Sequence, residues 1–479
     1  MAPDTDTDTD THNDVSAVHE FEEEFTFTPA SIPAALTATF APSFGSLANS
    51  VRRSSRGLRN RLHSIARDAA FVERVRAAYG GGGVPVVTNA RAGDWYVDPE
   101  RRQGGVYFKS TDGHVGEWMF SLRRLNLGLV EVLEGAGGRG AIIVDSTRRG
   151  KRFPDSLSKT IPIWIAVMNK LVFPSQLSPF AQNPQAVSDS EASSINKKLQ
   201  GFVDDFLALG LDLTPIKRVI TKPLRPIWIT PDSPLPESPP VFEEFIPLLL
   251  VTASQMVKGG GIEGEYIQGA GDDHEGWALE SGLTPALFWA HHKPLLAARN
   301  DDELLELTHA IVSSTTSTAG GGSTLVKPTS DIYIGAVGSE GSDSYDIIIN
   351  CTATPLATKC QTIPFPVPEG KKGTKFLRTE LAGVMAAAEK CVAQGQEGRK
   401  VLVVCSSGNE VAPAVALVVL CLYYDDEGRF RRLSAEERAG VDKAYIRRRL
   451  AWISASRAEA NPARAALNAV NSFLMERPA

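Results

Sequence analysis

Between Val144 and Trp164 the chain reads VDSTRRGKRFPDSLSKTIPIW. Four cations fall within five residues (Arg148, Arg149, Lys151, Arg152), directly after the carboxylate of Asp145 and the hydroxyls of Ser146 and Thr147. The preceding Ala141-Ile142-Ile143-Val144 is an apolar run that belongs inside a sheet, so the charge stands at a strand end, where α/β proteins place their ligands. Arg meets phosphate through a planar fork and Lys through a point charge. Residues Ser146 to Arg152, Gly150 included, therefore suit a phosphorylated ligand wrapped at a strand-to-helix turn, with Lys159 and Lys109 as further clamps.

Two more clusters lie in the same half of the chain. YFKSTDGHVGEWMFSLRRLNL (Tyr107–Leu127) offers Lys109, Asp112, His114 and the pair Arg123–Arg124 among aromatics; a solvated face is the plainer reading of the two arginines. EYIQGAGDDHEGWALESGLTPALFWAHH carries Asp272, Asp273, His274 and Glu275 in a Gly-rich loop, which could also be a helix start with acids favoured by the dipole. Carboxylates set among cations suit a Mg²⁺ that travels with phosphates.

The elements that must hold these groups are those of an α/β protein with two domains. The chain has 479 residues, 43% hydrophobic and 22% charged, with a net charge of −6, ample for more than one core. Residues 1–45 are expected to be a disordered tail, since the first 30 residues contain nine acids and no Lys or Arg and cannot offset their ordering entropy. A helical pattern runs from about Ser46 with Leu58, Leu62, Ile65, Ala69 and Val72 on one face, opening an α/β domain over 46–312 that carries the three clusters. Two Pro/Ser-rich stretches, PSQLSPFAQNPQAVSDSEASS and TPDSPLPESPPVF, read as loops within it, and 313–330 reads as a linker. In 331–479 strands (IYIGAVG, DIIINCTA, KVLVVC) alternate with helices (Leu377–Ala393, Ala412–Tyr424), the rhythm of a sheet with right-handed crossovers. Five cysteines without paired short spacings (Cys351, Cys360, Cys391, Cys405, Cys421) read as reduced thiols of an intracellular protein. No signal-peptide pattern opens the chain, and the apolar stretch Val411–Tyr424, broken by Pro413, is too short for a bilayer. The expectation is a soluble cytoplasmic protein with no membrane partner.

KVLVVCSSGNEVAPAVALVVL puts Cys405 at a strand end before a small-residue loop and a helix. With NCTATPL and IPFPVPEGKKG before it, the layout resembles the dual-specificity protein tyrosine phosphatase fold. In that fold a loop of backbone N–H groups cradles phosphate at a helix N-terminus. Cys405 and Gly408 match that pattern, but Val404 replaces its His, Val411 its phosphate-clamping Arg and Ala412 its hydroxyl. Phosphatase chemistry loses its charge-assisted bonds that way. Cys405 is then a small buried residue, or the loop Ser406-Ser407-Gly408-Asn409 is a noncatalytic anion cradle.

FKSTDGH with WMFSLRRLN, VDSTRRGKRFPDSLSKTIPIW, YIQGAGDDHE with LTPALFWAHH, and the altered phosphatase loop, in this order, resemble the initiator-tRNA phosphoribosyltransferase family. The resemblance covers roughly Leu58 to Arg477. It implies transfer from phosphoribosyl pyrophosphate to the ribose 2′-OH of adenosine-64 in the cytoplasmic initiator tRNA, which keeps that tRNA out of elongation. Such a reaction needs cations on the leaving pyrophosphate, a second anion site for the 5-phosphate, and a base at the tRNA hydroxyl. The implied base is Asp112 or Asp145, with His114 as the alternative; Asp272 and Asp273 would meet Mg²⁺ or the donor's ribose hydroxyls. No DD…TGGT segment of the common phosphoribosyltransferase fold is present. For the tRNA, the eight arginines from Arg52 to Arg76 and the stretch Arg429–Ile453 are candidate phosphate contacts or solvated helix faces. Two rivals stand beside this reading: a phosphatase of RNA ends or phosphoinositides built on Cys405, and a noncatalytic RNA-binding protein.

Overall fold

The computed structural model describes residues 57–475 apart from 81–82, 91, 149, 259–261, 273–276, 315–321, 340–344, 369, 394–398 and 458. The acidic tail lies outside these residues. Two five-stranded sheets organise the rest.

The first sheet is built from β1 (Val86–Asn89), β2 (Gly104–Val106), β3 (Ala141–Asp145), β4 (Leu224–Ile229) and β5 (Ile246–Thr252) in the order β2-β1-β3-β5-β4. Every pairing is parallel. Parallel strands covered on both faces read as unbroken apolar runs, and β1, β3 and β5 are buried along their whole length. Alternation then sorts their side chains. Ile142 and Val144 join a core with Leu62, Ile65, Val72 and Phe288, from the helices Leu58–Ala78 and Pro285–Ala297. Ala141 and Ile143 join the opposite core with Ile165 and Ile195, from the helices Ile161–Val172 and Asp189–Leu207. A short hairpin, β6 (Ile262–Glu263) and β7 (Tyr266–Ile267), follows β5. The SDSEASS part of the first Pro/Ser-rich stretch is not loop: Ser188 caps the helix Asp189–Leu207 by accepting from the Glu191 N–H, because Ser and acids favour a first turn.

The second sheet comprises β8 (Thr324–Leu325), β9 (Ile332–Ala336), β10 (Ile347–Asn350), β11 (Gln361–Pro364) and β12 (Val401–Cys405), in the order β11-β10-β12-β9-β8. Only β8 runs antiparallel. Part of the expected linker is therefore structure: β8 pairs with β9, and Val326 is buried in the second core. The apolar stretch at the end of the chain is the helix Val411–Tyr423, buried from Ala412 onward. Among the described residues no helix is long and apolar enough to cross a membrane.

The series β2-β1-β3-β5 and β11-β10-β12-β9 are spatially alike, but the chain enters the first at β1 and the second at β9. In each sheet the chain steps outward once (β1 to β2, β10 to β11) and then crosses to the other side (β3, β12). That reversal opens a crevice at the strand ends. Asp145 faces Thr252 in register and Cys405 faces Ala336, so the two occupy matching points.

Candidate active site

The crevice between β1 and β3 is a cavity of about 440 Å³. Of the residues singled out above, Lys109, His114, Asp145, Ser146, Thr147, Arg148, Lys151 and Asp272 line it.

Asp145 is 3% exposed. One carboxylate oxygen accepts from the Ser146 N–H at 2.7 Å; the other accepts from Asn89 Nδ2 at 2.7 Å and from the Ser156 hydroxyl. Burial pushes its carboxyl up to about 6, against the opposing pull of those three donors. Asn89 is fixed in turn, donating to the Phe108 carbonyl at 2.9 Å and accepting from the Phe108 N–H at 2.8 Å. Two side chains from later in the chain hold the loop after Asp145. Ser254 Oγ accepts from Ser146 Oγ at 3.0 Å and donates to the Thr147 carbonyl at 2.9 Å. Gln268 Oε1 accepts from the N–H groups of Gly150 (3.0 Å) and Val257 (2.9 Å), and its Nε2 donates to the Lys151 carbonyl at 2.7 Å. Gly269 lets this lock close: its φ is +68°, and a Cβ there would stand 2.7 Å from the Thr147 carbonyl oxygen.

The walls carry paired charges. Arg148 Nε lies 3.2 Å from Asp272 Oδ2. Asp155 gathers Lys151 Nζ at 3.1 Å, Lys159 Nζ at 3.3 Å and His114 Nε2 at 3.7 Å. Lys159 does not face the cavity: its ammonium is buried between Asp155 and Glu191 (3.0 Å). The π-turn Ser156–Thr160 directs it inward, which replaces the expected clamp with a structural cation. Arg152 leaves the cavity as well and reaches Asp232 at 3.2 Å, beside Trp228. Asp112 sits on the 3-10 turn Ser110–Gly113 and is not part of the lining; burial raises its carboxyl while Lys109, Arg124, Arg123 and His114 pull it down. Arg149, Asp273, His274 and Glu275 lie outside the described residues.

Arg123 and Arg124 are not a solvated face. Arg123 Nη2 donates to the Pro462 carbonyl at 2.8 Å, and Arg124 donates to Asn461 Oδ1 with its guanidinium 4.2 Å from the Tyr107 ring centre. Asn461 in turn donates its N–H to the Asn409 carbonyl at 2.6 Å, and Arg457 Nε donates to Asn409 Oδ1 at 3.0 Å. The phosphatase-like loop is thus a socket for Arg457 and Asn461. Cys405 is buried there, Ser406 and Ser407 are exposed, and Gly408 (φ +71°) lies against the backbone of Gly335 and Ala336.

Many candidate tRNA-binding cations are also occupied. Arg61 is buried against Trp277 and the Ala270 carbonyl, and Arg67 meets Gln255 and the Tyr266 ring. Arg449 is 1% exposed and paired with Asp426, and Arg429 and Arg431 pair with neighbouring acids. Arg447 on the helix Lys443–Ser456 is exposed; Arg52, Arg53 and Arg56 fall outside the described residues.

Sequence reasoning missed Asn89, Asp155, Ser254 and Gln268. Asp155 could have been found, since it stands four residues from both Lys151 and Lys159, a helical pairing distance. Gln268 sits inside the Gly-rich motif already noted. Asn89 and Ser254 lie at strand ends that only the sheet order brings beside Asp145. Among the described residues no group of three or more Cys, His, Asp or Glu side chains could hold a metal ion.

Two family models match the chain: the Rit1 N-terminal domain over residues 51–313 and the Rit1 DUSP-like domain over 361–474. An uncharacterized protein of Schizosaccharomyces pombe is 40% identical over 443 residues, covering 87% of this chain and 94% of its own. The tRNA A64-2′-O-ribosylphosphate transferase of Saccharomyces cerevisiae is 32% identical over 489 aligned positions, covering 89% of this chain and 93% of its own. Both domain models and relatives matched along most of their length lead to one statement: the chain belongs to the Rit1 family, a Rit1 N-terminal domain joined to a DUSP-like domain.

Proposed function

We propose that this protein transfers the 5-phosphoribosyl group of phosphoribosyl pyrophosphate to the ribose 2′-OH of adenosine-64 in the initiator tRNA of the cytoplasm. The added group would bar that tRNA from elongation. The observation that carries the reading is the 440 Å³ cavity in which Arg148, Lys151 and Lys109 meet His114 and Asp145, in a chain 32% identical to the yeast transferase. In the reaction the bond from donor C1 to pyrophosphate breaks and the bond from C1 to the 2′-oxygen forms. The leaving electron pair goes out on pyrophosphate, and the hydroxyl proton goes to a base. Arg148, Lys151 and Lys109 are suited to the growing negative charge.

Of the three candidate bases, His114 fits best. It is half exposed on the cavity wall, with the Asp155 carboxylate 3.7 Å from its Nε2. Both oxygens of Asp145 are already engaged, which suits it to holding the loop, and Asp112 does not line the cavity. Mg²⁺ belongs to this reading as part of the donor complex, a cation that keeps its waters and needs one or two carboxylates; Asp272 is the lining carboxylate that would share it.

The test incubates the protein with donor labelled in its 5-phosphate and total tRNA, then maps the labelled nucleotide. Label on the 2′-oxygen of adenosine-64 of the initiator is expected. Arg148→Ala should lower transfer about a hundred- to thousandfold with an unchanged circular dichroism spectrum. Label elsewhere, or wild-type transfer by the variant, overturns the reading.

A further inference from the structure

The loop that bears His114 continues as Val115-Gly116-Glu117-Trp118-Met119, and it projects from the cavity mouth. Val115 is 75% exposed and Met119 46%. Gly116 has φ +85°, and a Cβ there would meet nothing within 4 Å. Val115 and Met119 thus present apolar side chains next to His114 of the cavity wall.

This loop is braced from the helix Asp189–Leu207. Trp118 donates its indole N–H to Glu191 at 3.0 Å. Lys198 lies 5.3 Å from the Trp118 ring centre and donates to the Gly116 carbonyl at 3.4 Å. Glu191 also holds Lys159, and Lys159 holds Asp155 at the cavity wall. The tip is therefore fixed to the same ion-pair frame that fixes His114. Exposed cations flank it: Lys109 at the mouth and Lys197 and Lys198 on the helix, with Glu117 the exposed acid of the tip.

We infer that His114–Met119, with Lys198, is the landing surface for a double-stranded RNA acceptor, Val115 resting on the sugars of the minor groove and Lys198 on a flanking phosphate. The inference rests on the transferase reading. Any acceptor whose 2′-hydroxyl reaches His114 must meet residue 115, its immediate neighbour. An A-form minor groove is wide and shallow and displays its 2′-OH groups. An apolar side chain such as Val115 can lie on that surface without desolvating a charge, while a lysine at its edge neutralises phosphate.

The experiment measures equilibrium binding of initiator tRNA to the full-length protein at several salt concentrations, with inorganic pyrophosphate binding as the probe of the cavity. Val115→Glu should weaken tRNA binding at least tenfold and leave pyrophosphate binding and the melting temperature unchanged. Lys198→Ala should weaken it and lower the log–log salt slope by about 0.7–0.9, and Lys198→Arg should restore both. If both Val115→Glu and Lys198→Ala bind tRNA as the wild type does, while the wild type transfers label, the landing surface is overturned and the transferase stands. If the variants lose binding but the wild type transfers no label to any tRNA, the surface stands and the transferase reading falls. Equal competition by a single-stranded RNA of the same sequence overturns the double-stranded assignment.

Discussion

Asp145 occupies the point that Cys405 occupies in the other sheet, and its surroundings make it a different kind of group. Burial raises its carboxyl from the usual 3.8 to about 6. The folded protein thus holds this proton more tightly than the unfolded chain does. Its contribution to stability is fully present below the unfolded value and is lost as pH rises through the folded one. A gap of about two units corresponds to about 3 kcal/mol. Denaturant melts of the wild type and Asp145→Asn, compared from pH 4 to pH 7, should show the wild type losing about 2–3 kcal/mol relative to the variant. A difference that stays flat over this range would remove Asp145 as the titrating group. At this scale the sequence was informative where charge and position coincide: the strand-end Asp145, Ser146, Thr147 and Arg148 all line the cavity. It was misleading where a cation's partner lies far along the chain. Lys159 and Arg124 look like free positive charge, yet Glu191 and Asn461 claim them.

Elements explain why the loop after β3 keeps its shape without regular structure of its own. Its backbone groups are satisfied by side chains from the ends of other elements, Ser254 after β5 and Gln268 after β7. The EYIQGAG segment, noted in the sequence for its acids, functions here through its glutamine and its glycine. Gln268→Leu removes one acceptor shared by two N–H groups and one donor to a carbonyl. The buried Val257 N–H left unmade costs about 1–3 kcal/mol, while the Gly150 N–H and the Lys151 carbonyl, on exposed residues, can turn to water, so a loss of about 1–3 kcal/mol in denaturant unfolding is expected. Hydrogen exchange should also quicken at Gly150 and Val257, whose N–H groups it holds. Unchanged exchange there would show that another group does the holding. Strands and long helices were readable because β3 and β12 are continuous apolar runs and helix faces repeat at 3.6 residues, whereas β5, which follows the second Pro/Ser-rich stretch, was not singled out as a strand. Short elements such as β8 and the π-turn Ser156–Thr160 were not, because tertiary pairing creates them.

For the whole molecule, the two sheets share a spatial order but differ in where the chain enters. That shift hides their likeness from any reading that proceeds residue by residue, and only the paired positions of Asp145 and Cys405 hint at it. The halves are also joined more tightly than a linker suggests. Ala451 of the helix Lys443–Ser456 is buried in the core of the first sheet. Ser454 Oγ donates to the Arg123 carbonyl at 2.9 Å, while Arg123 and Arg124 donate to Pro462 and Asn461. Asn461 and Arg457 both end on Asn409, in the loop where a phosphatase would hold its substrate. The altered loop therefore contributes to the first domain's site through structure: Arg124 lies over Tyr107, which lines the cavity. Replacing both arginines removes charge-assisted bonds worth about 1.5–3 kcal/mol each, all of them between the halves. The Arg123→Ala/Arg124→Ala protein should keep both sheets, with little change in far-ultraviolet circular dichroism. Its unfolding should separate into two transitions where one is expected of the wild type, because two cores no longer share an interface of the same strength. Calorimetry checks this directly, and a single transition of unaltered shape in the double variant would show that apolar contact around Ala451 alone couples the domains.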